Sequence, residues 1–172
     1  MQFHREIGDR ESQGQLALSI DLERCLGCRS CEAACKLEHQ LGSDVARNRV
    51  LWMQFEGIAR LDFVYAVCQQ CERPACVRAC AHNPKALTKD PKDGIVKVKL
   101  DLCTGCQECV KACPYNAISF DFRYQKAQKC DLCSDRREHG FQPACVSVCP
   151  GRALDYGPVD ELLAKAAAEG RE

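Results

Sequence analysis

An α+β fold built from repeated strand–loop–helix–strand modules is expected of this chain, and three observations carry that expectation. The 172 residues include sixteen cysteines, which fall into four groups of four, and in every group three residues separate the third cysteine from the fourth. Short β-rich runs alternate with these groups and with stretches of helical length. The phrase C-P-Y-N-A-I at Cys113 to Ile118 returns as C-P-G-R-A-L at Cys149 to Leu154, the mark of an internal duplication.

Met1 to Gln15 is polar and lacks apolar periodicity, so it reads as an extension outside the cysteine-bearing body, either a loose terminus or a docking arm. Leu16 to Asp21 alternates apolar and polar residues as a short strand leading to the first group. Ser30 to His39 is expected to be a helix with Cys31 and Cys35 on one side, because residues four apart share a helix face. Val50 to Phe55 and Ile58 to Val67 form a β-rich pair broken at Glu56-Gly57, a hairpin pattern. A turn over Asp90 to Gly94 precedes a strand at Ile95 to Leu100. A helix from about Gln107 to Cys113 stops at Pro114, and a strand follows at Ile118 to Phe122. Val159 to Glu169 is an Ala-rich helix with Pro158 at its start, and Leu162, Leu163, Ala166 and Ala167 form a stripe expected to pack on the domain.

The cysteine spacing carries the chemistry. Cys25, Cys28, Cys31, Cys35 and Cys103, Cys106, Cys109, Cys113 both read C-x2-C-x2-C-x3-C, the spacing of a bacterial-type [4Fe–4S] run. Cys68, Cys71, Cys76, Cys80 and Cys130, Cys133, Cys145, Cys149 open with C-x2-C and close with C-x3-C, differing in the loop between. Three thiolates of such a run wrap one cubane, while the fourth stands a helical turn away and aims at a partner cluster, so the groups must work in pairs. Zinc needs only four tetrahedral ligands and leaves the third cysteine of C-x2-C-x2-C without a place. A disulfide framework belongs to small secreted domains, yet no apolar signal segment opens the chain, and C-x2-C spacing strains a local disulfide. Sixteen thiolates therefore predict four [4Fe–4S] clusters and iron as the metal. With aromatics at 6%, the organic core is thin, so the clusters are expected to serve as core and the iron-free chain to fold poorly.

Twenty-four basic and twenty-four acidic residues cancel, but that balance counts cysteine as neutral. Four oxidised clusters with their thiolates bring the total to about −8, which argues against nucleic acid as a partner. Arg29, Lys36, Arg78, Lys111 and Lys129 stand beside cysteines, where they either offset cluster charge or are ordinary solvated charges. No run approaches the roughly 20 apolar residues of a membrane span. A cytoplasmic location is expected by default, the alternative being periplasmic through co-export with a signal-bearing partner.

C-L-G-C-R-S-C-E-A-A-C at Cys25 to Cys35, C-Q-Q-C-E-R-P-A-C at Cys68 to Cys76, C-T-G-C-Q-E-C-V-K-A-C-P-Y at Cys103 to Tyr115, C-D-L-C-S-D-R at Cys130 to Arg136 and P-A-C-V-S-V-C-P at Pro143 to Pro150 together resemble one family. It comprises the four-cluster iron–sulfur subunits of molybdenum or tungsten bis-pterin oxidoreductases, of the dimethyl-sulfoxide reductase type or of the small polyferredoxin subunits of tungsten aldehyde oxidoreductases. The resemblance covers roughly Ile20 to Asp155 and implies tandem two-cluster ferredoxin modules, one inserted in the other. The outer module would span 16–67 and 127–156, the inserted one 68–126, with extensions at 1–15 and 157–172. It also implies the ligand sets: Cys25, Cys28, Cys31 and Cys149; Cys130, Cys133, Cys145 and Cys35; Cys68, Cys71, Cys76 and Cys113; Cys103, Cys106, Cys109 and Cys80. The clusters would follow the group order first, fourth, second, third, with the first nearest the pterin subunit. Some relatives carry Trp at the second cysteine of the third group and hold a [3Fe–4S] cluster; here Cys106 is present, so a full cubane is expected.

One departure stands out. The second group continues Cys80-Ala81-His82-Asn83-Pro84-Lys85-Ala86-Leu87, two residues longer than the matching phrase after the third and fourth groups and with proline displaced. His82 reads as a solvent-exposed loop histidine before it reads as a proton carrier, and His4, His39 and His139 read the same way. The function implied is electron transfer between a Mo/W-pterin catalytic subunit and a further redox subunit or soluble acceptor, with no catalysis by this chain. The alternative is a free-standing soluble polyferredoxin carrier, including one that self-associates into a longer wire through its extensions.

Overall fold

The computed structural model describes residues 14–54, 56–57 and 61–170. Most of the N-terminal extension, with His4, and the centre of the expected hairpin lie outside them. Among the described residues the chain runs β1 (Leu16–Ile20), α1 (Ser30–Glu38), β2 (Asn48–Gln54), β3 (Leu61–Val67), α2 (Ala75–Ala79), β4 (Leu87–Lys89), β5 (Val96–Val98), α3 (Glu108–Ala112), β6 (Ile118–Asp121), β7 (Lys126–Lys129), α4 (Ser134–Glu138), α5 (Ala144–Ser147), β8 (Leu154–Pro158) and α6 (Val159–Ala168). It is a small mixed helix and strand fold.

The strands pair two at a time, all antiparallel: β1 with β8, β2 with β3, β4 with β5 and β6 with β7. A two-stranded ribbon is marginal by itself in water, so each must lean on something else. Two cores supply it, and cysteines belong to both. One gathers Cys76, Leu87, Val96, Cys109, Ile118 and Ala127. The other gathers Val50, Tyr65, Val67, Cys145 and Leu154, with Leu18 and Ile20 of β1 packed against it. The β1–β8 pairing, Leu16 opposite Pro158 through Ile20 opposite Leu154, ties this second core across more than 130 positions of sequence.

Several elements differ from the expectations. β5 ends at Val98, because Leu100–Leu102 tighten into a 3₁₀ turn whose bonds, Leu102 N–H to Lys99 O and Cys103 N–H to Leu100 O at 3.2 Å each, steer the chain into the third cysteine loop. β4 is an addition; it pairs with β5 over the Asp90–Gly94 turn, which closes through Gly94 N–H to Asp90 O and Asp90 N–H to Ile95 O, both 2.9 Å. β7 is another, and its Lys-Ala-Gln-Lys sequence shows no alternation; pairing with β6 and burial of Ala127, Gln128 and Lys129 make it a strand. The α6 stripe splits: Leu162 and Ala166 are half-buried, whereas Ala167 is exposed and Leu163 is 54% exposed. No helix among the described residues is long and apolar enough to cross a membrane.

Burial sets the expected response to truncation. Leu87→Ala, at 2% exposure in the first core, should cost about 2–5 kcal/mol of stability in the loaded protein. Leu163→Ala should cost less than about 0.5 kcal/mol. Anaerobic denaturant unfolding of both variants checks the contrast.

Candidate functional site

The four C-x-x-C segments share one backbone turn. The residue before the second cysteine has a left-handed φ in each: Gly27 at 62°, Gln70 at 46°, Gly105 at 77° and Leu132 at 54°. Glycine stands where a side chain has no room. A Cβ on Gly27 would meet the Phe63 ring at 2.4 Å, and one on Gly105 the Gln125 carbonyl oxygen at 2.6 Å. Gln70 and Leu132 keep their side chains, which are buried.

A second shared frame follows the last cysteine of the third and fourth groups. Asn116 and Arg152 have φ of 50° and 48°, and the next residue turns its N–H on sulfur: Ala117 to Cys113 Sγ at 3.4 Å, Ala153 to Cys149 Sγ at 3.3 Å. The two-residue insertion after Cys80 reaches a similar end by another route. Against partial burial, which raises it, main-chain N–H groups of Leu87, His82 and Ala86 hold the Cys80 thiol below its ordinary value. Such donors on sulfur are among the levers that set a cluster's potential.

Twelve of the sixteen cysteines line three cavities in fours. Cys25, Cys28, Cys31 and Cys149 line a cavity of about 370 Å³ with apolar walls from Ile20, Leu26, Val50 and Leu154. Cys80, Cys103, Cys106 and Cys109 line another of about 370 Å³, walled by Leu87, Val98 and Ala127 and touched by His82. Cys68, Cys71, Cys76 and Cys113 line a third of about 340 Å³, walled by Val96 and Ile118. Cys35, on α1, faces Cys145 on α5 and Cys133: burial first, then the neighbouring Cys133 and Cys145, push the Cys35 thiol up to about 12. Burial likewise pushes Cys133 up to about 11, with Cys145 again adjacent, and raises Cys130.

Four thiols on apolar walls, with N–H groups aimed at sulfur, are the donor set of an iron–sulfur cluster, since soft thiolates select such clusters. Among the described residues no three Cys, His, Asp or Glu side chains converge on the point a single ion would take; a cubane asks for no such convergence, because each thiolate binds its own iron.

Exposure divides the gatherings. Cys28 and Cys106 are the exposed cysteines, one in each of the first two cavities described, whereas Cys35, Cys133 and Cys145 are buried together. The Ser30 hydroxyl, 3.4 Å from Cys28 Sγ, holds that thiol below its ordinary value.

The charges beside the cysteines separate into two kinds. Arg29 lies over the Trp52 ring, its side chain 57% exposed. Lys36 donates to the carbonyls of Gly42, Ser43 and Val45, Arg78 to Arg73 O, and Lys111 pairs with Glu108 at the surface. Lys129 is not a solvated charge: it is 2% exposed, with its ammonium on the carbonyls of Val96 and Cys130. Burial raises the Cys76 thiol, and Lys129 pulls against that. His39 is likewise no exposed loop histidine; half-buried, it places Nε2 3.4 Å from Cys133 Sγ. His82 is half-buried as well, with Nδ1 2.8 Å from Pro84 O, and His139 is exposed with Nδ1 against Asp135 O. Sequence reading also passed over Gln70 and over Arg47, which binds Gln128 and Asp131 beside the fourth group. Lone polar residues carry no periodic signal.

Comparison with known proteins gives a consistent set of likenesses. The 4Fe-4S dicluster domain family matches residues 59–159, and the 4Fe-4S binding domain family matches residues 22–41. The chain is 39% identical to the B component of the anaerobic dimethyl sulfoxide reductase of Escherichia coli over 161 residues, covering 88% of this chain and 77% of that protein. It is 37% identical to the B component of the polysulfide reductase of Wolinella succinogenes, covering 84% and 77%, and 37% identical to the B component of the tetrathionate reductase of Salmonella typhimurium, covering 92% and 64%.

Thiols raised to about 12 at Cys31 and Cys35 and to about 11 at Cys109 and Cys133 are protonated at neutral pH, and ligation requires the thiolate. Loading with iron and sulfide should therefore release protons from these sites and weaken as pH falls. Proton release during anaerobic reconstitution in dilute buffer measures it, and loading without release would contradict it.

Proposed function

We propose, because the chain belongs to the 4Fe-4S dicluster family of reductase iron–sulfur subunits, that it is the electron-transfer subunit of a larger oxidoreductase complex and catalyses no chemistry of its own. It carries four [4Fe–4S] clusters, which supply one-electron chemistry when bound. The ligand sets are Cys25, Cys28, Cys31 and Cys149; Cys130, Cys133, Cys145 and Cys35; Cys68, Cys71, Cys76 and Cys113; and Cys103, Cys106, Cys109 and Cys80. The two cores and the β1–β8 pairing support a tandem arrangement in which the module of the second and third groups is inserted into that of the first and fourth.

One observation carries the wire reading: the exposed thiols, Cys28 and Cys106, belong to the first and last sets in the order first, fourth, second, third. Each end of such a line meets a partner, and neither middle set has an exposed thiol. The Cys28 end faces a molybdenum- or tungsten-pterin catalytic subunit, and the Cys106 end a further redox subunit or soluble acceptor. The chain's own residues fix the spacing through the shared turns, exclude water with the apolar walls, and direct N–H groups at Cys80, Cys113 and Cys149.

Cys106→Ser tests this. The variant should keep its association with the catalytic subunit, perturb one of four cluster signals, and lose at least tenfold of turnover with the distal acceptor. Full turnover with the other three clusters unchanged would overturn the order. Iron eluting at monomer size without molybdenum or tungsten, from native anaerobic extract, would replace the subunit reading with that of a free carrier.

A further inference from the structure

Among the described residues Lys129 is the largest of the fully buried side chains, and its contacts lie between two of the cysteine gatherings. Its ammonium donates to the carbonyl of Val96, a wall residue of the cavity holding Cys68, Cys71, Cys76 and Cys113, and to the carbonyl of Cys130 at 2.6 Å. Gln70 spans the same pair: Nε2 donates to Cys130 O, and Oε1 accepts from Val96 N–H, each at 2.9 Å. Val96 and Cys130 are thus clamped twice, once by a neutral group and once by a cation.

The neutral clamp alone joins the two halves, so the cation needs its own explanation. A buried ammonium is costly unless paired. Of the carboxylates near it in sequence, Asp131 is engaged by Arg47 at 3.2 Å, Asp135 is exposed at the surface, and Asp121 is engaged by Arg123 at 3.3 Å. Carbonyl dipoles offset part of the cost. The remaining counter-charge available at this place is that of the thiolate-bound clusters on either side, each net negative.

We propose that Lys129 is a positioning charge shared by the clusters of the fourth and second groups, raising both potentials and making this wall the crossing between the two modules. The inference rests on the four-cluster reading above. A positive charge there favours the reduced form on both sides, and so eases entry of an electron into this pair from either outer cluster while leaving the step between the two nearly level.

The test is an EPR-monitored redox titration of the loaded full-length chain and of two variants, Lys129→Met and Lys129→Gln. Glutamine keeps amide donors for the carbonyls but carries no charge. In both variants two of the four couples should move negative, the reduced-to-oxidised ratio at fixed potential falling about tenfold, or about 59 mV for one electron. The two that move should not be those perturbed by Cys28→Ser or Cys106→Ser. Should Lys129→Met lose iron, Lys129→Gln carries the test. Unmoved potentials, an equal shift of all four, a shift in Lys129→Met alone, or loss of iron from both variants would each overturn the proposal. Fewer than four couples in the unaltered chain would overturn the four-cluster reading itself, and this inference with it.

Discussion

Thiolate ligation by loops that cannot close their own sites is the constraint on which this fold depends. A C-x-x-C turn and a third cysteine enclose three sides of a gathering, and the fourth thiol arrives from the helical segment of another group. Cys149 reaches the gathering of Cys25, Cys28 and Cys31, and Cys113 that of Cys68, Cys71 and Cys76. Every such exchange ties two distant segments together. The strands add little by comparison, pairing only two at a time among the described residues. Both hydrophobic cores count cysteines among their members, so the apolar residues pack on the sites they help to shield.

The shared turns show how a duplicated sequence meets local needs. All four C-x-x-C segments take the left-handed conformation before the second cysteine, yet only two use glycine. Phe63 and Gln125 crowd the glycine positions, while Gln70 turns the strained position into a junction contact. The longer turn after Cys80 changes which N–H groups face its sulfur without removing them. Backbone geometry is retained across the repeats, and side chains diverge according to what each cavity adjoins.

Much of this was legible in the sequence, because cysteine spacing is a covalent ruler that needs no tertiary context. Helix α1, the β2–β3 pairing and the strand before the first group follow from periodicity and turn residues. β7 did not, since Lys-Ala-Gln-Lys has neither alternation nor β-branched residues and becomes a strand only through its neighbours. The sequence leaves Lys129 undecided and hides His39 for a related reason: a basic residue looks the same in sequence whether it faces water or the interior. Their surroundings are set by segments 30 or more positions away, as with Val96 above Lys129 and Cys133 beside His39.

The central claim is that cluster ligation and folding are one process. Amide hydrogen exchange on the loaded chain, compared with the chain stripped of iron anaerobically, tests it most directly. The account predicts that protection across β1–β8, around Val50 and around Val96 disappears together when iron leaves. Retained protection in the iron-free chain would show that the organic cores hold the fold by themselves and would contradict it.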